Sequence, residues 1–422
     1  MKRSLTAMLA LILLAGCGTQ VQMPAPTEEP PPSAAQTPSG DLMENVQPDE
    51  TGANMPLTEE GAVAVTDFGL ALFQQCIGQE NALVSPLSVI LALAMTANGA
   101  AGDTFAQMEK AFGMDIDTLN VYLHDYAQTL PDGEGGSVHL ANGIWLDADA
   151  GFDVEKDFLQ TNANYYGAGV EAKPFDGALV DEINAWVAQN TKDRIDKIVD
   201  DLSPGAVMML VNALAFDGVW EDIYREDQVQ PGTFTTAGGE EQDATFMHST
   251  EQALQDENAV GFIKYYEGRG YAFAALLPNE GIDLADYAAS LTGEKLQRML
   301  SAEDGDGYRK VAVPKFSARY SAELSSALAA MGMTDAFDSE KADFSRISAE
   351  AELYISQVMH KTFISVDEKG TQAGAATAVE IREATALGPD MTVYLDRPFV
   401  YMLIDCQAKV PIFLGAVTDL GQ

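Results

Sequence analysis

Hydrophobic positions along this chain follow two periods. Apolar residues recur at helical spacing over Val63–Gln75, Asp103–Phe112, Lys156–Tyr166, Ile183–Ile198, Asp283–Met299 and Ser321–Met331, and each stretch predicts a helix. Val89–Ala97 is apolar throughout and follows Ser85-Pro86, which predicts a buried helix begun by a side-chain cap and a first-turn proline. Alternation over Leu140–Leu146 and Tyr354–Asp367 predicts strands, and Phe262–Tyr266 and Tyr271–Leu277 are shorter strand-like runs. Val207–Phe216 is almost continuously apolar around Asn212, as a strand covered on both faces would be. Val311–Phe316 is extended, and Phe399–Asp405 and Ile412–Thr418 are apolar strands. Helices dominate early and strands late, with no βαβ rhythm and no repeat. That order predicts an α+β fold.

The stretch Val366–Ile381 does not settle into either period. From Thr371 to Ala378 nearly every side chain is tiny, and none is charged or proline. Taken in twos, Thr371, Ala373, Ala375, Thr377, Val379 and Ile381 fall on one face, while Gln372, Gly374, Ala376, Ala378, Glu380 and Arg382 fall on the other. Alanine and glycine are poor strand formers, so the alternation does not commit the segment to a strand at rest. It suits a loop that enters a sheet later. On composition alone it also fits a flexible linker.

At 422 residues and 47% hydrophobic content the chain is long enough to bury a large core, and length alone suggests two or three domains. Lys and Arg number 24 against 64 Asp and Glu, a formal charge of −40. Such a surface repels nucleic acid and anionic lipid, so no nucleic-acid partner is expected. At the N-terminus Lys2 and Arg3 precede Leu5–Ala15, an apolar run too short to span a bilayer. It ends in Leu14-Ala15-Gly16-Cys17, which resembles the bacterial lipobox. That predicts a signal peptide over residues 1–16, a lipid on Cys17, and export to the outer face of a bacterial membrane. Eight of the eighteen prolines and no aromatic lie between Cys17 and Leu57, which predicts a disordered tether over 17–57 and a folded unit over 58–422. Cys76 sits in an apolar helical pattern and Cys406 at the end of an apolar strand, a placement that predicts two buried thiols rather than a disulfide.

Enzymatic constellations are missing from the sequence. It holds no G-x-S-x-G, H-E-x-x-H, C-x-x-C pair, P-loop or strand-linked G-x-G-x-x-G. His124, His139, His248 and His360 are scattered without metal-ligand spacing, so neither catalysis nor a metal or other cofactor is expected. His360 lies inside an apolar strand pattern, where an imidazolium is costly to bury. Ser85, Ser88 and Asn212 are similarly stranded in apolar runs. The four together would satisfy one another as a buried latch that must rearrange.

Several motifs, in order, resemble those of the serpins. Asn81-Ala-Leu-Val-Ser85-Pro86-Leu-Ser88 resembles the start of their central buried helix. Ile183-Asn-Ala-Trp186-Val with Thr191 resembles the helix lying across their main sheet. Leu210-Val-Asn212-Ala-Leu-Ala-Phe216-Asp-Gly218-Val-Trp220 is similar to their breach strand. Val313-Pro-Lys-Phe316, Ala342-Asp-Phe-Ser345, Val358-Met-His360-Lys-Thr-Phe, Glu368-Lys-Gly370-Thr371, Arg397-Pro398-Phe399 and Phe413-Leu-Gly415 follow. The likeness runs from about residue 60 to the end, so the resemblance replaces the multidomain expectation with one large domain.

The resemblance implies three sheets, eight or nine helices, and an exposed reactive loop at about residues 369–390. It implies a monomeric inhibitor that works once on a serine protease, with a cysteine protease as a further target. The protease cleaves the loop, and the loop enters the main sheet before the acyl-enzyme hydrolyses. The hinge of that motion would be Glu368, Gly370, Thr371, Ala373, Ala375, Ala376 and Thr377, entering between strands at Val207–Leu214 and Ile355–Val366. Ser85, Ser88, Asn212, Trp220 and His360 would form the shutter and breach. Counting from Glu368 places the scissile bond at Ala384-Thr385, suited to an elastase-like or subtilisin-like enzyme. Arg382-Glu383 would suit a trypsin-like protease and Leu387-Gly388 a chymotrypsin-like one. Gly374 departs from the usual alanine or serine and weakens the hinge strand, by roughly 0.5–1 kcal/mol. Asp193 stands at a helix end where glycine is common, a site Asp tolerates. The alternative function is a non-inhibitory carrier, cleaved without trapping.

Overall fold

The computed structural model describes residues 40–49, 57–78, 80–133, 135–167, 169–301, 307–371 and 392–421, all within one compact unit that begins at Ala35. Expectations for the signal peptide, Cys17, Ala373, Ala375, Ala376, Thr377, Ala384-Thr385, Arg382-Glu383 and Leu387-Gly388 fall outside the described residues.

The described helices are α1 (Glu59–Cys76), α2 (Pro86–Ala97), α3 (Gly102–Phe112), α4 (Ile116–Thr129), α5 (Lys156–Tyr165), α6 (Gly177–Asn190), α7 (Leu284–Ala289), α8 (Gly293–Ser301) and α9 (Ser325–Ala330). A seven-stranded sheet runs in the order β1 (Gly40–Asp41), β4 (Gly169–Lys173), β3 (Gly136–Asp147), β5 (Met208–Val219), β13 (Gly370–Thr371), β12 (Gln357–Val366), β11 (Phe316–Glu323). A nine-stranded network holds β14 (Thr392–Tyr394), β10 (Tyr308–Pro314), β7 (Glu241–Gln255), β8 (Ala259–Tyr265), β9 (Tyr271–Pro278), β15 (Phe399–Asp405), β16 (Val410–Val417) and β2 (Ala82–Val84), with β6 (Val229–Thr235) on β7. The long β7 pairs with β6 through its first half and with β8 through its last residues. The network is therefore two sheets sharing one strand, which with the first sheet makes three.

Helix α2 is buried over its whole length, and the Ser85 hydroxyl accepts the Ser88 amide as its N-cap. It packs between α1, β16 and the seven-stranded sheet and forms the centre of the main core. A second core fills the space around β5, β9, β15 and β16, and a third lies under α6, where Trp145 and Trp186 meet edge to face at 4.9 Å.

Four expectations need correction. The tether does not extend over all of 17–57. Gly40 and Asp41 pair with Ala172 and Glu171 at the edge of the sheet, the Leu42 amide bonds Val170 O at 2.9 Å, and Leu42 and Met43 pack on the core. A sheet edge offers unpaired backbone groups to any sequence, so polar composition does not prevent docking. The helix expected to reach Ile198 ends at Asn190, because Lys192 and Asp193 adopt left-handed φ of 50° and 60°. Ser321–Met331 is helical only from Ser325, its first residues completing β11, and Asp283–Met299 is broken into α7 and α8. Helix α4 and the length of β7 lie outside the predicted elements.

Candidate functional site

Strands β5 and β12 are direct parallel neighbours from Gln357 against Met209 to Phe363 against Ala215. Beyond that point they part, and β13 stands between them. Thr371 faces Val366 on one side and Gly218 on the other, and Gly370 faces Val219. The chain leaves β12, reverses over Asp367–Lys369 and re-enters the sheet at its open end. The turn is held by Asp367 Oδ1, which accepts the amides of Lys369 at 2.8 Å and Gly370 at 3.2 Å. Gly370 has φ of 150°, and a Cβ there would lie 2.0 Å from Gly218 O. Only glycine lets the two backbones approach this closely.

The segment after β5 grips that turn. The Trp220 indole donates to Asp367 O at 2.8 Å, the Trp220 amide to Lys369 O at 2.9 Å, and the Tyr224 amide to Glu368 O at 2.9 Å. Lys315 Nζ lies 2.7 Å from Glu368 Oε1. Partial burial opposes the Glu368 charge, but the Lys315 ammonium outweighs it and holds the carboxyl below its usual range. Trp220 stacks on Tyr266 with centroids 4.3 Å apart, and the Tyr266 hydroxyl lies 2.6 Å from Thr371 Oγ1. Thr371 is wholly buried.

Lower in the seam, four expected polar residues come together. His360 and Asn212 are cross-strand partners, and His360 Nδ1 donates to Asn212 Oδ1 at 2.6 Å. His360 Nε2 accepts the Ser85 amide at 3.2 Å, and Ser88 Oγ donates to Asn212 Oδ1 at 2.5 Å. This pattern requires the neutral Nδ1–H tautomer. Burial pushes the imidazole down to about 3. A fifth member, Asn142 of β3, accepts from Asn212 Nδ2 at 2.8 Å. It lies inside the predicted strand Leu140–Leu146, so the rule that singled out Asn212, a polar residue stranded among apolar ones, would have found it. The cluster ties β3, β5 and β12 to the first turn of α2.

Among the described residues no group of His, Cys, Asp and Glu is arranged to hold a metal ion. Cys76 and Cys406 are free and half-buried, and burial raises both thiols, Cys406 to about 12. No described helix is long and apolar enough to cross a membrane.

The seven-stranded sheet thus holds Gly370 and Thr371 as a short extra strand between two of its central strands. The family model described as Serpin (serine protease inhibitor) matches residues 63–420, and the chain belongs to the serpin family. It is 30% identical over 383 residues to Serpin B10 of Bos taurus, covering 83% of this chain and 96% of that protein. It is 29% identical to Ipis-1 of Ixodes persulcatus over 84% of this chain and 98% of that one. The crystal structure of the thermophilic serpin tengpin in its native state matches with a TM-score of 0.85 and 41% identity, over 90% of this chain and 100% of that one. The latent state of tengpin matches with a TM-score of 0.76, 42% identity, and coverage of 88% and 100%.

Proposed function

We propose that the protein is a single-use inhibitor of serine proteases that traps the acyl-enzyme by loop insertion. The observation that carries this reading is the seating of Gly370 and Thr371 between β5 and β12. Insertion has a start point and a track. Thr371 faces Gly218, and each later residue would face one residue lower on β5, so ten steps bring Ile381 (371 + 10) to Met208 (218 − 10), the first residue of the strand. The seam below Thr371 is closed by direct β5–β12 bonds, which the entering strand replaces with two ladders. Roughly ten residues gaining about 0.5–1.5 kcal/mol each in net hydrogen bonding drive that exchange. The small face of Thr371, Ala373, Ala375 and Thr377 enters without clash.

The protease serine attacks the Ala384 carbonyl, the amine of Thr385 leaves, and Ala384 remains on the enzyme as an ester. Insertion then outpaces hydrolysis of that ester. The alanine before the bond fits an elastase-like or subtilisin-like pocket, and a cysteine protease with a small pocket would form the analogous thioester. Cys17 carries a lipid that holds the monomer on the outer face of a bacterial membrane.

Incubation with a protease panel tests the reading. A complex that survives boiling in detergent, with a released fragment beginning at Thr385, is the expected result. A fragment beginning at Glu383 moves the target to trypsin-like enzymes, and one beginning at Gly388 to chymotrypsin-like ones. Cleavage with no complex across the panel leaves the carrier reading. In a host able to lipidate, Cys17→Ser should shift the protein from the detergent phase to the aqueous phase.

A further inference from the structure

A buried charge lies beneath the segment that grips the hinge. Lys264 of β8 is 3% exposed. Its Nζ donates to Glu251 Oε1 at 2.8 Å and to Asp222 O at 3.0 Å. The same atom lies 4.5 Å from the ring centre of Tyr224 and 5.5 Å from that of Trp220. Burial opposes the ammonium, but Glu251 and Tyr224 keep it above its ordinary value, so it stays charged.

Packing alone does not call for a lysine here. Apolar residues of similar volume are often as stable as a buried ion pair, or more so. The charge contributes direction. A cation prefers the face of an aromatic ring, and an ammonium donates along three axes. Lys264 therefore aims two ring faces, one backbone carbonyl and one carboxylate at a single point. Trp220 and Tyr224 supply the three hydrogen bonds to Asp367, Glu368 and Lys369. Trp220 also stacks on Tyr266, which bonds Thr371. Every side chain in that chain of contacts is fixed by the next.

We infer that Lys264, paired with Glu251, is a positioning residue for the hinge, holding Trp220–Tyr224 where Gly370 and Thr371 seat between β5 and β12. Its consequence for trapping rests on the inhibitory reading. The seating itself does not.

Hydrogen exchange of the full folded domain tests it. In Lys264→Met, and in Lys264→Met/Glu251→Met, which leaves no unpaired buried charge, the amides of Trp220, Tyr224 and Gly370 should exchange about tenfold faster. Amides of α2 and β9 should keep their wild-type rates. The ratio of trapped complex to cleaved product should fall in the same variants, with the rate of loop cleavage unchanged. Unchanged exchange at Trp220, Tyr224 and Gly370 in the folded double variant overturns the inference. So does a uniform rise across α2 and β9, because Lys264 would then contribute only to global stability. A wild type that never traps a protease removes the inhibitory reading and leaves the exchange result to decide this one.

Discussion

The hydroxyls of Tyr266 and Thr371 lie 2.6 Å apart in a place closed to water. One belongs to the end of the sheet network that faces the hinge, the other to the first loop residue inside the seven-stranded sheet. Breaking this contact leaves a buried hydroxyl without its partner, and that is where the cost arises.

Tyr266→Phe should keep its stack on Trp220 and lose only the bond to Thr371. The expected destabilisation is about 1–3 kcal/mol, read from the denaturant midpoint. Tyr266→Phe/Thr371→Val, which removes both partners, should recover most of that loss. A double variant as unstable as the sum of its parts would mean that the hydroxyls do not pair.

Gly370→Ala places a methyl group 2.0 Å from Gly218 O, against backbone that has no rotamer to yield. The hinge should then fail to seat. Gels should show cleaved product displacing the trapped complex, while the rate of cleavage at Ala384-Thr385 is unaffected. An unchanged ratio would place the start of insertion elsewhere.

His360 sets an acid limit. Its pKa is about 3 in the fold against an ordinary 6.5. Between those values the unfolded chain takes up a proton that the folded chain refuses, so this contribution is complete above pH 6.5 and is lost as pH falls towards 3. The slope is at most about 1.4 kcal/mol per pH unit. His139 is also lowered by burial and shares part of this window. Melting of wild type and His360→Gln between pH 7 and 5 isolates the first residue. The wild type should lose more stability over that interval, and parallel curves would exclude His360 as the cause.

Cutting the loop with a protease that is not trapped should raise the melting temperature, because the single ladder between β5 and β12 is replaced by two ladders to the entering strand. Ala373→Arg, beyond the Thr371 that is already buried in the intact sheet, should still be cleaved but should gain little on cleavage. A cation on the face that must be buried slows entry by several kcal/mol. Equal melting shifts in the two proteins would mean that the loop does not enter between β5 and β12.

Much of the architecture was legible because it is written locally. The period-two runs became β3 and β12, the continuous apolar run became β5, the Ser85-Pro86 cap opened α2, and Asp193 occupies the left-handed turn its side chain tolerates. Ser85, Ser88, Asn212 and His360 stood out because each is polar inside an apolar run. Helix α6 was read too long because Ile195 and Ile198 keep helical spacing while packing as an irregular segment on β5. Helical period shows that residues share a buried side, and here the backbone reaches that side without being a helix.

Spacing and side-chain size, which are properties of neighbours in the chain, were enough for most of the elements, for the small residues after Thr371 and for the polar set available to the seam. The folded register alone places Gly40, Asp41 and Leu42 on β4, Asn142 beside Asn212, and Lys264 under Trp220 and Tyr224. Those contacts join residues far apart in sequence, so their energy depends on the register of whole strands. An edge left open by β4, or a carboxylate on β7 opposite a lysine on β8, has no trace in the pattern of either strand alone.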